Sequence, residues 1–236
     1  MPDSVIGNGT SMTSRPHCPF CDEGAGGHSA LLRKRLGGKL AGRVVTTTEN
    51  FVVLCDLGPL VVCHVLIVPK QHLLSLGAIE NSKHWTELIE LKGQTRLALA
   101  QLVAQPVFFE HGSNSFRRGG TSVEHAHLHA VPGNIGLSDS LQGFEVTQIS
   151  DLRSLRLWAA RDIPYLLFEN TVGVMLVAEG VENIPRQFMR REAVRLLGLP
   201  SSYWDWTASR HSYEEVIRTF SLLEGFNWRS AGKEKQ

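Results

Sequence analysis

Glu124-His125-Ala126-His127-Leu128-His129-Ala130-Val131-Pro132 is the stretch from which the rest of the chain can be read. Three histidines alternate with apolar residues. Successive side chains on a strand point to opposite faces. The spacing therefore predicts all three rings on one face, with Ala126, Leu128 and Ala130 turned into the core. Neutral imidazoles gathered on one face can bind a metal, pass protons or attack an electrophile. Immediately upstream, Arg117-Arg118-Gly119-Gly120-Thr121-Ser122 brings two guanidinium groups, open backbone N–H groups at two glycines, and two hydroxyls. Those donors suit a phosphate held against the histidine face.

Moving outward, residues 44–48, 51–57 and 61–68 carry strand propensity, with the Gly58-Pro59 break between the last two. Apolar positions Trp85, Leu88, Ile89, Leu91, Leu97, Leu99 and Leu102 predict a helix over 83–104. Residues 107–110 and 125–131 read as strands joined by the glycine- and serine-rich loop. Residues 144–149 read as a strand and 152–160 as a helix. Residues 165–169 and 172–178 read as a hairpin around Asn170-Thr171. A further helix starts near Pro185, where Ile184, Phe188, Met189, Ala193, Leu196 and Leu197 mark one face as core. The last helix covers 213–223. Without regular strand–helix–strand units, the expectation is an α+β fold: an antiparallel sheet with packed helices and a C-terminal α/β extension. The divisions expected are a flexible leader over 1–16, a main domain over 17–140, an extension packing on it over 141–229, and a tail over 230–236.

The chain has 236 residues, of which 42% are hydrophobic and 20% charged, with a net charge of +1. That balance supports a core and excludes a charge-driven disordered chain. It also lacks the basic excess of a general nucleic-acid surface, so no stable nucleic-acid partner is expected. No apolar run approaches the roughly 20 residues of a membrane span, and residues 1–15 do not read as a secretory signal. Of four cysteines, Cys55 and Cys63 sit in apolar runs as buried free thiols. Cys18-Pro-Phe-Cys21 is a spaced pair that needs further partners before it implies a metal. The reducing cytoplasm is the expected compartment.

Three separated blocks resemble the histidine-triad family of nucleotide hydrolases and transferases. His125 to Val131 fits the family pattern His-φ-His-φ-His-φ-φ, with φ apolar. Asp56-Leu-Gly-Pro59 followed by His64-Val-Leu-Ile-Val-Pro69-Lys-Gln-His72 resembles its upstream strands, and Gly119-Gly120-Thr121-Ser122-Val123 resembles its approach to the triad. The resemblance covers about residues 17–133. It implies that His127 is a nucleophile toward the α-phosphorus of a nucleotide, forming a nucleotidyl-histidine. It makes His129 a phosphate contact that also helps protonate the leaving group, and Ser122 a donor to phosphate or leaving group. Asp56 would hold ribose hydroxyls, and His64 would serve packing. Asn114, Gly119, Gly120, Thr121 and Arg117 are the further substrate contacts expected. Thr121 replaces the family's glutamine.

Relatives with a Cys-x-x-Cys pair imply a structural zinc site built from Cys18, Cys21, His72 and His125, while His17 and His28 are expected in solvent. Ile184-Pro-Arg-Gln187-Phe-Met-Arg190 resembles extended bacterial members. There, N–H groups at 184–186 would meet an anion, and Gln187 and Arg190, one turn apart, would close over substrate or simply pack. The expected activity is nucleotidyl-phosphate hydrolysis. The alternatives are a nucleotidyltransferase or dinucleoside polyphosphate phosphorylase, and a non-enzymatic nucleotide-binding module. A homodimer is a further possibility, since small triad proteins pair.

Overall fold

The computed structural model describes residues 18–27, 40–113, 123–181, 183–207 and 213–228. The leader 1–16, the tail 230–236, His17, His28, Asn114, Arg117, Arg118, Gly119, Gly120, Thr121 and Ser122 lie outside the described residues. Among the described residues eight strands make one antiparallel sheet: β1 (Val44–Thr47), β2 (Phe51–Cys55), β3 (Val65–Pro69), β4 (Pro106–Gly112), β5 (Leu128–Pro132), β6 (Glu145–Ile149), β7 (Tyr165–Glu169) and β8 (Met175–Glu179). Their spatial order is β1-β2-β3-β5-β4-β7-β8-β6. Among the described residues five α-helices complete the α+β fold: α1 (Pro19–Gly24), α2 (Ser82–Leu102), α3 (Arg156–Ala160), α4 (Phe188–Leu196) and α5 (Tyr213–Glu224). Among the described residues no helix is long and apolar enough to cross a membrane.

The alternation along β5 sorts side chains between two cores. Leu128 and Ala130 join Trp85, Leu88 and Leu99 of α2 on one face. Phe109 and Val131 lie on the other face with Met189 and Ala193 of α4, and Phe20 of α1 packs there on Leu54 and Leu66. Thr95 and Ala98 complete the buried stripe of α2, whereas Leu97 and Leu102 are exposed. At 100° per residue Leu97 falls well away from the Leu88–Leu99 stripe.

Strands β2 and β3 are shorter than the sequence reading because residues 56–64 form a closed turn. Asp56 N–H donates to the His64 carbonyl at 3.1 Å, and the Asp56 carboxylate accepts from Gly58 N–H at 2.7 Å. Cys63 takes a left-handed φ of 67°, which keeps β3 from starting before it, and its N–H donates to Thr219 Oγ1 of α5 at 2.9 Å. Cys55 and Cys63 are buried free thiols.

The C-terminal segment does not merely pack on the rest; it continues the sheet. β7 pairs with β4 from Phe108↔Glu169 to Gly112↔Tyr165. This satisfies backbone groups that an open β4 edge would leave unpaired. A Cβ at Gly112 would run into the Tyr165 ring, so the pairing needs glycine there. Glu169 fixes the same seam by accepting from Lys92 at 2.8 Å and Arg96 at 2.7 Å on α2. The following hairpin turns through five residues rather than two. Asn170 Oδ1 accepts from Val172 and Val174 N–H, Gly173 takes φ 89°, and the second strand starts at Met175.

Candidate metal cluster and histidine pocket

Two of the three alternating histidines precede their strand. β5 begins at Leu128, so His125 and His127 lie in the segment entering it and only His129 is in the ladder. The rings consequently divide between two sites instead of lining one face.

His125 turns to the cysteine pair. Its Nε2 lies 2.7 Å from the Pro69 carbonyl, which can only accept, so Nε2 carries the proton. The Nδ1 lone pair then faces Cys18 Sγ at 3.3 Å and Cys21 Sγ at 3.5 Å. His72 Nδ1 lies 3.3 Å from Cys21 Sγ. All four ligand atoms fall within 4.8 Å of one another. A tetrahedral zinc, at about 2.3 Å from sulfur and about 2.0–2.1 Å from nitrogen, sets sulfur and nitrogen about 3.5 Å apart. The donor set therefore fits a metal, and a backbone carbonyl holds the His125 tautomer that ligation needs. Burial pushes His125 down to about 4, toward the neutral form that ligates.

His127 and His129 turn the other way. His127 Nδ1 lies 2.7 Å from the His125 carbonyl and must donate to it, which leaves a lone pair on Nε2. His129 takes its tautomer from a longer chain. Leu60 N–H donates to His64 Nδ1 at 3.2 Å, so the His64 proton is on Nε2. That proton points to His129 Nδ1 at 2.9 Å. His129 therefore accepts at Nδ1 and carries its own proton on Nε2. Its ring stacks on Phe109, with centroids 4.4 Å apart, and stands 4.9 Å from the His127 ring. Burial lowers His127 below its ordinary value and His129 well below it, so both rings stay neutral near pH 7.

Asp56 lies behind this pair. Its Oδ2 is 3.5 Å from His64 Nε2 and 2.9 Å from Arg190 Nη1. Burial alone would raise the Asp56 carboxyl; the Arg190 guanidinium, above all, holds it well below the usual carboxylate range. Asp56, His64 and His129 could meet a cation by distance. The Arg190 charge already faces the carboxylate.

Arg190 also donates to the Gly58 carbonyl at 2.6 Å and the Trp204 carbonyl at 3.0 Å. All three of its nitrogens are engaged internally. These bonds tie α4 to the Asp56 turn, while the side chain also borders the pocket that holds His127. Gln187 and Arg190 do not sit one turn apart on a helix begun at Pro185. Helix α4 starts at Phe188, and Gln187 precedes it with a left-handed φ of 54°. That conformation takes Gln187 out of the helical register.

One pocket collects these pieces. His127 and His129 form its floor with His111 of β4, and Phe20, Leu57 and Trp206 supply apolar wall. Phe20 comes from between the two cysteines, so the metal cluster and the pocket share α1. Its ring meets His127 edge-on at 5.4 Å, and the buried Arg43–Glu23 pair, at 2.8 Å, braces the same helix. Asp56, Gln187 and Arg190 also border the pocket. The sequence reading gave no role to His111, Phe20, Arg43 or Trp206. A β4 residue opposite the triad was the available signal for His111, once the β4–β5 register is known.

A HIT-domain family model matches residues 38–135. An uncharacterized HIT-like protein of Chlamydia muridarum is 30% identical over 116 residues, covering 47% of this chain and 87% of the relative. One of Chlamydia trachomatis serovar D is 33% identical over 91 residues, covering 37% of this chain and 77% of the relative. Among solved structures, a hypothetical histidine triad nucleotide-binding protein from Sulfolobus tokodaii aligns at 19% identity with a TM-score of 0.33, covering 49% of this chain and 68% of its own.

Proposed function

We propose, from the premise that this chain belongs to the HIT-domain family, that it is a nucleotidyl-phosphate hydrolase acting through a covalent intermediate on His127. The observation that carries the reading is the pair of complementary tautomers. His127 presents a lone pair on Nε2, and His129 beside it presents a proton on Nε2. One nitrogen can attack phosphorus while its neighbour donates to a phosphate oxygen as negative charge develops there.

In the first step His127 Nε2 bonds to the α-phosphorus and the bond from phosphorus to the leaving group breaks, the departing group taking the bonding pair and a proton from water. The His125 carbonyl steadies the Nδ1 proton of the ring, which becomes cationic as it forms the P–N bond. In the second step water adds to phosphorus and gives up a proton to solvent, the P–N bond breaks with its pair returning to Nε2, and the nucleoside monophosphate leaves with His127 restored. Splitting one substitution into two lowers the barrier of each. Ser122 and the backbone of Gly119 and Gly120 are the proposed donors to phosphate and leaving group, and Phe20, Leu57 and Trp206 offer an aromatic and apolar surface to a base. Zinc, held by Cys18, Cys21, His72 and His125, would supply a structural cross-link that seats Phe20 in the wall.

Gln187 and Trp206, both from the C-terminal segment, border the same pocket. They favour as the second reading an acceptor other than water, such as phosphate or a sugar phosphate. Turnover of nucleotides chiral at the α-phosphorus, followed by phosphorus NMR, tests the mechanism. Two in-line displacements predict retention of configuration; inversion would eliminate the covalent intermediate. Phosphate or a sugar phosphate in the mixture separates hydrolysis from transfer.

A further inference from the structure

The imidazoles in and beside the pocket are not equally engaged. His127 and His129 each have Nδ1 committed to a partner, and His64 has both nitrogens committed. His111 differs: its Nδ1 is buried with no hydrogen-bond partner among the described residues. Leaving such a nitrogen unmatched costs free energy that a bound ligand can recover. Its neighbours on β4 have other work. Glu110, on the opposite face, accepts from Leu76 N–H and Tyr165 O–H, both at 2.7 Å. Gly112 makes room for the Tyr165 ring.

The sheet gives His111 its position. β4 and β5 run antiparallel with Phe109 opposite His129. Continuing that register by two residues brings position 111 level with position 127. Residues directly opposite on an antiparallel pair share a face, and His111 and His127 do line one pocket. β5 lies between β3 and β4. The Asp56 turn, with Leu57 in the apolar wall, stands on the β3 flank of the reacting histidine, and His111 stands on the β4 flank.

We propose that His111 is the leaving-group contact of this pocket, hydrogen-bonding a polar leaving group (an amine, hydroxyl or phosphate) on the phosphorus that His127 attacks. The inference rests on the covalent mechanism proposed above and adds to it a residue and a selectivity. A nucleoside seated against Leu57 directs the departing group toward the β4 flank. Burial pushes His111 down to about 4, so the contact there is a neutral imidazole and not a second cation. It therefore selects by hydrogen bonding rather than by charge.

Because the leaving group is gone once His127 is nucleotidylated, His111 should affect the first step and not the second. The experiment follows both steps by rapid quench, using nucleoside phosphoramidates and phosphate-leaving dinucleotides against a nitrophenyl ester, whose leaving group needs no assistance. His111→Phe should slow labelling of His127 by about tenfold for the polar leaving groups and leave the nitrophenyl ester within about threefold. Hydrolysis of the preformed intermediate should be unchanged. His111→Asn, which keeps a polar group, should restore part of the loss, and folding of both variants is checked by melting. Equal losses for every leaving group, or slowed hydrolysis of the intermediate, would overturn the role of His111 alone. Absence of labelled His127 in the wild-type protein would overturn the covalent mechanism and the role of His111 together.

Discussion

The two halves of the sheet follow one plan and differ in what they carry. β3, a short 3₁₀ turn at Leu76–Ala78, α2, β4 and β5 succeed one another in the first half. β6, a 3₁₀ turn at Leu152–Leu155, α3, β7 and β8 succeed one another in the second. Their spatial orders, β3-β5-β4 and β7-β8-β6, mirror each other across the β4–β7 pair. The 3₁₀ turns meet at the seam, where a Cβ on Gly77 would fall 2.6 Å from the Leu155 carbonyl oxygen. Yet β5 and its approach hold three histidines, and β8 holds Met175 and Val177. α2 runs for 21 residues and α3 for five. β3 is wholly buried, while β6 is an exposed edge. The sheet plan is thus not what makes a site: chemistry here depends on side chains grafted onto one copy of a shared arrangement. The second half closes the β4 edge and lends residues to the pocket wall.

Three perturbations separate the halves. Metal removal should have the largest effect, since structural zinc in small sites is worth on the order of 10 kcal/mol in apparent binding. Chelation, or Cys18→Ser with Cys21→Ser, should speed hydrogen exchange in α1 and β3 and raise KM through the loss of Phe20 from the pocket. Exchange in β6 and β8 should change far less, and equal deprotection of both halves would erase the distinction. Next, Arg190→Met removes the guanidinium that joins α4 to the Asp56 turn. Leaving that carboxylate buried and uncompensated should cost about 3–5 kcal/mol in denaturant unfolding; a loss below about 1 kcal/mol would mean the two regions are held by packing alone.

The seam responds to pH. Burial raises the Glu110 carboxyl from 4.5 to about 7, against the hydrogen bonds from Tyr165 and Leu76. Between those values the folded protein keeps a proton that the unfolded chain releases. Stability therefore falls as pH rises from about 4.5 to about 7, by about 3 kcal/mol in all, and levels off above. Glu110→Gln cannot titrate, so its unfolding free energy should lack that slope. An unchanged slope would place the titration elsewhere.

Much of the first half was legible because its signals are local. Alternation around His129 marked β5 and its core-facing Leu128, and spacing marked α2. The Cys18-x-x-Cys21 pair and the Pro69-Lys-Gln-His72 turn carried enough resemblance to assemble a four-residue cluster from three separate segments. What escaped notice was long-range. No periodicity reveals that β7 pairs with β4 across more than fifty residues, so the C-terminal segment read as an add-on. The tie from Arg190 to Asp56 was hidden because the two residues lie 134 positions apart. The left-handed Gln187 and Cys63 delayed the starts of α4 and β3, at residues without the glycine that usually marks such a conformation. His111 went unassigned because its neighbour across the sheet follows from register and not from sequence distance.

The central claim is that His127 Nε2, set by the His125 carbonyl, is the atom that bonds to phosphorus. It is tested by mixing the protein with a nucleotide labelled at the α-phosphate, quenching in alkali, where phosphorus–nitrogen bonds survive, and mapping the label by peptide mass spectrometry. The account predicts label on His127, none with His127→Gln, and normal labelling with Val177→Ala on β8. A protein that turns substrate over while His127 stays unlabelled would contradict it.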